Sequence, residues 1–194
     1  LIGKYHADAG VMISASHNPC EFNGIKVFSG DGYKLPDELE EQIEAIVLDG
    51  AVPYPKPIGS SEGTISFAEN AHRDYIDHVK ATVPYPLTGL KLALDCANGS
   101  ASATAKEIFS ELGAEVHMLH DAPNGININE NCGSTHMEDL QKYVVEHGMD
   151  AGLAFDGDAD RCLAVDEKGN LIDGDFVMAI CAADLKSTGR LAKN

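Results

Sequence analysis

The sequence predicts an α/β protein made of two α/β domains with mixed, largely parallel sheets flanked by helices, the first domain being partial. Three observations lead to this class. Short apolar runs alternate with helical patterns through residues 90–155, an order typical of βαβ units. A stretch rich in proline and glycine, 83–89, suits a domain linker. The chain has 194 residues, 44% of them hydrophobic, enough for two small cores. We therefore set the domains at residues 1–84 and 85–194.

The first predicted domain holds short strands and two helices separated by turn residues. Its elements are predicted as strands at 10–13, 25–29 and 64–67, helices at 36–49 and 69–83, and a loop at 51–63. The run from Gly10 to Ile13 is apolar throughout, which indicates a buried strand. Pro36 suits the first turn of the next helix, and Gly50 follows its last apolar residue as a stop.

The second predicted domain alternates strands with helices and ends in a hairpin and a helix. Its strands are predicted at 90–96, 114–119, 151–155, 162–165 and 170–172, and its helices at 103–112, 135–147 and 176–185. Thr135 and Glu138 match a capping box at the start of the middle helix. This order predicts a mostly parallel sheet with helices on its faces.

The charge balance limits the partners. Asp and Glu outnumber Lys and Arg by 31 to 14, which gives a net charge of −17. A chain this acidic repels phosphate backbones, so we expect no nucleic-acid partner. An anionic small substrate would need local cations or a metal ion to reverse the field at its site.

Other features of the sequence bear on location and completeness. The sequence contains neither an apolar run of membrane-spanning length nor a secretory signal pattern, so we expect no membrane association. The five cysteines include no CxxC pair, which fits a reducing cytoplasm better than a disulfide framework. The chain begins at Leu1 rather than Met and ends without an obvious stop, so we expect a piece of a longer chain.

Polar residues follow the first strand and form a candidate nucleophile loop. Ser16, His17 and Asn18 come directly before Pro19, which stops the strand from continuing. A hydroxyl beside an imidazole suggests a nucleophile whose proton has an acceptor, although the same residues also suit a plain polar turn. Lys26, on the next strand, could face the same site, or it could be a lysine that protects a sheet edge from aggregation.

Three alternating acids follow a buried strand and form a candidate metal loop. Asp156, Asp158 and Asp160 lie at the carboxyl end of that strand, where open α/β sheets place ligands. A divalent hard cation removes the repulsion among carboxylates, and a tight loop with room for a phosphate oxygen suits Mg²⁺. Arg161 beside a metal suits a phosphate. The alternatives are a solvated acidic turn and an EF-hand, but an EF-hand needs glycine where Arg161 stands.

With these motifs in hand, the chain resembles the α-D-phosphohexomutases. Their signatures are S-H-N-P, then N-G-x-K, then D-G-D-G-D-R, which appear here at residues 16–19, 23–26 and 156–161. The stretch 125–135 looks like the phosphoglucosamine mutase subgroup rather than the phosphomannomutase branch. The resemblance covers essentially the whole chain.

The resemblance implies catalytic and substrate-binding roles. Ser16 would be a phosphoserine that donates its phosphoryl group to the sugar and later takes one back. Lys26 and His17 would be candidates for proton transfer or for holding the serine phosphate, with Lys26 preferred. Arg161 and Asn18 would contact phosphate or substrate.

The resemblance also implies cofactors. One Mg²⁺ per active site would be held by Asp156, Asp158 and Asp160 together with a phosphate oxygen on Ser16. Glucosamine or glucose 1,6-bisphosphate would act as the activator. The family usually has glycine at the fourth position of the metal loop, where this chain has Ala159. We expect that this position does not need a positive φ and that the loop still binds metal.

The activity implied by the resemblance is interconversion of glucosamine 6-phosphate and glucosamine 1-phosphate, on the route to UDP-N-acetylglucosamine. Members of the family have four domains, so the partners would be a phosphosugar substrate and domains 3 and 4 of the same chain. We expect the isolated 194 residues to be inactive or nearly so. Two alternatives remain open: a phosphomannomutase/phosphoglucomutase, and a non-catalytic module that binds metal or phosphate.

Overall fold

The computed structural model describes residues 1–50 and 57–191. These residues form two compact units. Unit 1 comprises Leu1–Ile13 and Ile25–Tyr75, and unit 2 comprises Ser14–Gly24 together with Ile76–Asn194. The segment Ser14–Gly24 therefore packs with unit 2, although the strands on either side of it lie mostly in unit 1.

Unit 1 contains a two-stranded sheet and helices. Its elements are α1 (Ile2–Tyr5), β1 (Ala9–Ser14), β2 (Gly24–Ser29), α2 (Asp37–Val47) and the first half of α3 (Ala71–Ala81). Strands β1 and β2 pair with each other. Helix α2 follows Pro36 and carries three acidic residues in its first turn, where they suit the positive end of the helix dipole.

The structure corrects two predictions in unit 1. Strand β1 is not buried, because its residues alternate in exposure and Val11 and Ile13 are 66% and 71% exposed. The apolar run does form a strand, but its sheet has only two strands in the described part of the chain. These described residues leave one face of the sheet uncovered, so the side chains on that face are exposed. Residues 64–67 form no strand and pair with no other segment of the described chain. The predicted loop at 51–63 contains a 3₁₀ turn, Gly59–Ser61, and its first part, 51–56, lies outside the described residues.

Unit 2 contains a five-stranded mixed sheet. Its further elements are β3 (Lys91–Asp95), α4 (Ala105–Glu111), β4 (Glu115–Leu119), α5 (Glu138–His147), β5 (Ala151–Phe155), β6 (Cys162–Asp166), β7 (Leu171–Ile172) and α6 (Gly174–Ser187). The strand order is β4-β3-β5-β6-β7, with parallel pairs among the first three strands and antiparallel pairs from β5 to β7. This confirms the predicted α/β class with a mixed sheet flanked by helices.

Apolar side chains on the two faces of the sheet form two clusters. One cluster joins the sheet to α5, and its buried members are Ala93, Met137, Leu140, Val144, Met149, Ala154 and Val165. The other joins the sheet to α4 and the turn before it, and its buried members are Leu92, Leu94, Cys96, Ala101, Ala105 and Ala114. Burial on both faces explains why the three central residues of β3, 92–94, are all apolar.

The capping box predicted before α5 is wrong. Thr135 lies in a 3₁₀ turn, Gly133–Thr135, and the N-cap of α5 is Met137, which makes no side-chain capping hydrogen bond. Helix α5 therefore begins at Glu138, after a turn whose first residue, Gly133, donates its amide to the buried carboxylate of Asp95 (3.0 Å). Within the described residues, every helix falls short of the length and hydropathy that crossing a lipid bilayer requires.

The topology brings two loops together at one edge of the sheet. Strands β3 and β5 are parallel neighbours, with Asp95 opposite Ala154, so their carboxyl ends meet at the same edge. The loop after β3 and the loop after β5 lie side by side there, and Ser100 N donates to Gly157 O (2.8 Å). Open α/β sheets bind ligands at this edge.

Candidate active site

The serine loop, residues 14–24, begins with two overlapping turns. The Ser16 amide donates to Ser14 Oγ (2.9 Å), and the Asn18 amide donates to Ala15 O (2.9 Å). Ser16 has φ 52°, in the left-handed region. For a residue with a Cβ this conformation costs about 1–2 kcal/mol, so contacts from outside the loop must hold it.

Those contacts come from two segments of unit 2. The Gly157 amide, in the acidic loop at 156–161, donates to Ser16 O (3.0 Å). The side-chain amide of Asn129 donates to Ser16 O and to Asn18 O, both at 2.8 Å. The structure therefore brings the main chain of Ser16 into direct hydrogen bonding with the acidic loop, although the two are far apart in sequence.

The acidic loop gathers three carboxylates. Oxygen atoms of Asp156, Asp158 and Asp160 lie within 4.8 Å of one another, and exposure increases from the fully buried Asp156 to the exposed Asp160. Asp156 Oδ1 accepts a hydrogen bond from the Arg161 amide (3.2 Å), and Asp156 O accepts one from the Ala159 amide (3.0 Å). These bonds close the loop around the buried carboxyl.

The buried carboxyl of Asp156 is electrostatically costly when ionised. Burial raises its pKa above the usual value, the negative charges of Asp158 and Asp160 raise it further, and the hydrogen bond from the Arg161 amide opposes the shift. The other oxygen, Asp156 Oδ2, is buried and accepts no hydrogen bond from the described part of the chain. A buried anionic oxygen of this kind needs a cation or a proton.

The three carboxylates fit a hard divalent cation. Ligand oxygens around Mg²⁺ lie 2.0–2.1 Å from the ion, so opposite ligands are about 4.2 Å apart. The separations of up to 4.8 Å among the three side chains would need only a small contraction. The donor set is all oxygen, which suits Mg²⁺ rather than a soft metal.

Arg161 supplies a positive group at the rim of this cluster. Its Nε lies 4.0 Å from Asp156 Oδ2 and 4.0 Å from Asp160 Oδ1, at the outer limit of an ion pair. The side chain remains 56% exposed. The guanidinium therefore stays accessible to an anion from solvent, and it can offer the paired N–H donors that phosphate oxygens accept.

The remaining predicted site residues lie in different units. His17 is exposed in the serine loop, with Nδ1 3.5 Å from Ser16 Oγ, too long for a strong hydrogen bond. Asn18 is exposed beside it and is held through its carbonyl oxygen. Lys26 is half-buried on β2 in unit 1, where it lines a groove of about 530 Å³ together with Lys34 and residues of α2.

The expectation that Ala159 avoids a positive φ is wrong. This residue has φ 58°, so the fourth position of the acidic loop does adopt the left-handed conformation. The tight turn that returns the Ala159 amide to Asp156 O imposes it. The residue also packs against the core cluster beside α4.

Close backbone approaches at two glycines also shape the site, and the sequence interpretation missed them. A Cβ atom on Gly157 would lie 2.4 Å from Ser16 O, and one on Gly99 would lie 2.4 Å from Gly157 O. The backbones of the serine loop, the acidic loop and the loop after β3 therefore pack directly against one another, and a side chain at either glycine would not fit. A glycine between two acids, and another after a buried strand, were the available signals, but each also suits an ordinary turn.

The sequence interpretation also missed a buried hydrogen-bond centre at Asp95. This carboxylate is fully buried, and it accepts hydrogen bonds from the amides of Ala97 (2.9 Å) and Gly133 (3.0 Å). His120 Nδ1 lies 3.0 Å from its second oxygen. Asp95, His120 and Cys132 could in principle bind a metal ion, but the carboxylate is already satisfied by these three partners. We assign Asp95 to holding the loop after β3.

Comparisons with known proteins match both segments that form the candidate site, the serine loop and the acidic loop. The sequence family described as phosphoglucomutase/phosphomannomutase, alpha/beta/alpha domain II, matches residues 73–169, and domain I of the same family matches residues 1–51. Phosphoglucosamine mutases from Clostridium novyi (strain NT) and Clostridium botulinum (strain Hall) are 58% and 59% identical over the whole chain. The chain spans 43% of the length of each of these relatives.

Solved structures have the same fold. A phosphoglucomutase/phosphomannomutase family protein from Burkholderia thailandensis matches 94% of this chain and 38% of its own, with a TM-score of 0.72 and 25% identity. The Aspergillus fumigatus N-acetylphosphoglucosamine mutase, solved in complex with GlcNAc-6P and magnesium, matches 98% of this chain and 51% of its own, with a TM-score of 0.63 and 20% identity. On the two matching family domains, which include both the serine loop and the acidic loop, the chain belongs to the phosphoglucomutase/phosphomannomutase family.

Proposed function

We propose that this chain forms the phosphoserine-bearing and metal-binding part of a phosphoglucosamine mutase, which interconverts glucosamine 6-phosphate and glucosamine 1-phosphate. The observation that carries the proposal is the hydrogen bond from the Gly157 amide to Ser16 O, since it joins the candidate nucleophile loop to the carboxylate loop. The 58–59% identity to clostridial phosphoglucosamine mutases favours the amino sugar as substrate.

Ser16 is the phosphoryl carrier in this proposal. In the first transfer, the bond between phosphorus and Ser16 Oγ breaks while phosphorus bonds to a hydroxyl oxygen of the sugar monophosphate. The proton of that hydroxyl goes to a base, and a proton is returned to Ser16 Oγ. The resulting glucosamine 1,6-bisphosphate then gives its other phosphoryl group to Ser16 in the reverse chemistry, and a sugar 1,6-bisphosphate from solution can prime an unphosphorylated enzyme.

The other residues act by position and charge. Lys26 is the preferred group for moving the proton, with His17 as the alternative beside Ser16 Oγ. Arg161 and Asn18 contact phosphate or substrate. Asp156, Asp158 and Asp160 would hold Mg²⁺, and a phosphate group on Ser16 would offer a further oxygen ligand. When bound, the ion offsets the negative charge on the phosphoryl oxygens during transfer.

The net charge of −17 requires help from elsewhere in the protein, because an anionic sugar phosphate is repelled by this chain. We propose that residues 1–84 are the C-terminal part of the first of four domains, that residues 85–194 are the second domain, and that domains 3 and 4 supply cationic groups for the substrate. All five cysteines are free, which supports a reducing, cytoplasmic location. The net charge of −17 is the reason to propose no nucleic-acid partner.

The test uses protein from the complete reading frame that contains these 194 residues. We expect Mg²⁺-dependent conversion of glucosamine 6-phosphate, and a loss of at least about 10³-fold in kcat for Ser16→Ala, because the phosphoryl carrier is removed. The control is Ser66→Ala, an exposed serine that belongs to neither the serine loop nor the acidic loop, which should behave as wild type. Retained turnover in Ser16→Ala would refute the role of Ser16.

Two further measurements separate the alternatives. Steady-state kinetics on the 6-phosphates of glucosamine, glucose and mannose distinguish the proposed enzyme from a phosphomannomutase/phosphoglucomutase by the ratio of kcat/KM values. Intact mass after incubation with glucose 1,6-bisphosphate should show one added phosphate in the wild type and none in Ser16→Ala. A protein that binds Mg²⁺ but never gains this phosphate would instead be a non-catalytic module.

A further inference from the structure

Asn129 makes contacts that ordinary core packing does not explain. It lies on the loop between β4 and α5, is 8% exposed, and has φ 58°. Its side-chain nitrogen donates to two main-chain carbonyls of the serine loop, Ser16 O and Asn18 O, both at 2.8 Å. Both N–H bonds of the amide can therefore be used on the one loop that carries the candidate nucleophile.

We propose that Asn129 is a positioning residue that holds Ser16 in its left-handed conformation beside the acidic loop. This inference rests on the proposed function, because it gives Asn129 a purpose in phosphoryl transfer. Two carbonyl oxygens that converge on one point repel each other unless a donor lies between them. The Asn129 amide is that donor, and without it the serine loop loses the contact that offsets its unfavourable φ at Ser16.

The amide is itself fixed from behind. The Asn129 main-chain amide donates to Ala97 O (2.9 Å), and the Ala97 amide donates to the buried Asp95 carboxylate (2.9 Å). Asp95 is the last residue of β3, an interior strand of the five-stranded sheet. A chain of hydrogen bonds thus connects the rigid sheet to the serine loop, which is how positioning groups achieve accurate placement.

The contacts predict which kinetic constant changes. The side-chain hydrogen bonds of Asn129 go to main-chain carbonyls of the serine loop, so its loss should leave Mg²⁺ and substrate binding nearly intact while displacing Ser16 Oγ. Misplacement by about 1 Å can cost about 10²-fold in rate, so we expect kcat to fall by that order with KM changed less than about threefold.

Two variants isolate the amide. Asn129→Gly keeps the left-handed backbone and removes the side chain, whereas Asn129→Asp keeps the shape and replaces the donor by an acceptor. The matched control is Asn131→Gly, since Asn131 has φ 52° on the same loop but is exposed. In the complete protein we expect both Asn129 variants to lose kcat and the control to retain it.

The pH profile separates positioning from a general loss of stability. At low pH the carboxyl group introduced by Asn129→Asp takes up a proton and regains one O–H donor, so the kcat of this variant relative to wild type should rise as pH falls. The same ratio for Asn129→Gly should stay flat, because that variant has no group to protonate. A flat ratio for both variants, or wild-type kcat in Asn129→Gly, would overturn the proposal.

Hydrogen–deuterium exchange tests the positioning independently of catalysis. In Asn129→Gly we expect amides of residues 14–18 to exchange at least tenfold faster, with β3 and β5 unchanged. Unchanged exchange at 14–18 would overturn the positioning. If the wild-type protein shows no mutase turnover while this exchange difference is present, the proposed function fails and the role of Asn129 in holding the loop is supported.

Discussion

Replacing Gly157 by alanine should separate the serine loop from the acidic loop. The new Cβ would lie 2.4 Å from Ser16 O, whereas ordinary contact begins near 3.4 Å. It would also lie 2.6 Å from Ile128 Cδ1, but that atom is the end of a flexible side chain and can move. The Ser16 carbonyl belongs to backbone, so relief requires the serine loop or the acidic loop to shift by about 1 Å.

Two energetic consequences follow from this shift. Overpacking at a buried contact costs about 1–3 kcal/mol. The hydrogen bond from the Gly157 amide to Ser16 O, 3.0 Å long, is lengthened or lost, which costs about 0.5–1.5 kcal/mol more. Gly157 does not have a positive φ, so backbone strain at the substituted residue adds nothing to this sum. We therefore expect a loss of about 1.5–4.5 kcal/mol in the free energy of unfolding.

The catalytic effect should exceed that of an equally destabilising change elsewhere. A displacement of about 1 Å between nucleophile and charge-neutralising groups can lower turnover by about 10²-fold. We expect this loss in kcat for conversion of glucosamine 6-phosphate by the complete protein, under conditions where the variant is fully folded.

The assay pairs urea unfolding of the 194-residue chain with steady-state kinetics of the complete protein. The matched control is Gly63→Ala, because a Cβ at Gly63 meets nothing within 4 Å and its φ is not positive. If Gly157→Ala matches Gly63→Ala in unfolding free energy to within about 0.5 kcal/mol, and also in kcat, the close approach of Gly157 to Ser16 O contributes neither to stability nor to turnover. This result would refute the prediction.

Three further predictions concern the carboxylates and the loop conformation. Burial raises the pKa of Asp156 above its unfolded value of 3.8, so without metal the free energy of unfolding should fall as pH rises from 3.8 through the raised pKa. Urea titrations at a series of pH values should show a weaker pH dependence for Asp156→Asn than for the wild type. Equal pH dependence would contradict the raised pKa. Ala159→Gly should raise the unfolding free energy by about 0.5–1 kcal/mol in chemical denaturation, because it removes a left-handed alanine, and a lower stability would mean that the lost methyl packing dominates. Asp95→Ala should destabilise by about 3 kcal/mol or more in the same assay, since it leaves buried amides without an acceptor; a cost under about 1 kcal/mol would show that water replaces the carboxylate.

Periodicity and motifs predicted much of the fold and part of the site. Alternating and apolar runs predicted β2, β3, β4, β5 and the β6–β7 hairpin, because sheets and their faces determine residue pattern directly. The same signals failed at 64–67, where β-prone residues meet no partner strand in the described chain, and at β1, where they could not show which face is covered. The pairing of a serine loop with an acidic loop was inferred from two motifs, and the hydrogen bond from Gly157 to Ser16 agrees with it.

Asn129 illustrates what sequence reasoning could not reach. Its partners are the carbonyl oxygens of Ser16 and Asn18, which every residue possesses and which therefore leave no mark in the sequence. The stretch 125–135, which contains Asn129, indicates only a subgroup of the family and gives no role to this side chain. A contact to the main chain becomes visible only when the fold places the donor beside it.

The distribution of backbone strain connects these findings. Among the described residues, eight non-glycine residues have positive φ, and seven of them lie in the loops around the site: Ser16, Ala97, Asn98, His120, Asn129, Asn131 and Ala159. Each costs about 1–2 kcal/mol, so the group persists only because the buried sheet and the hydrogen bonds to Asp95 and from Asn129 and Gly157 over-determine it. Strain held by this network means that the loops are arranged before any phosphosugar binds. In phosphoryl transfer, alignment and charge neutralisation provide most of the rate enhancement. Loops that are already arranged therefore favour the reaction, although their strained residues lower the stability of the fold.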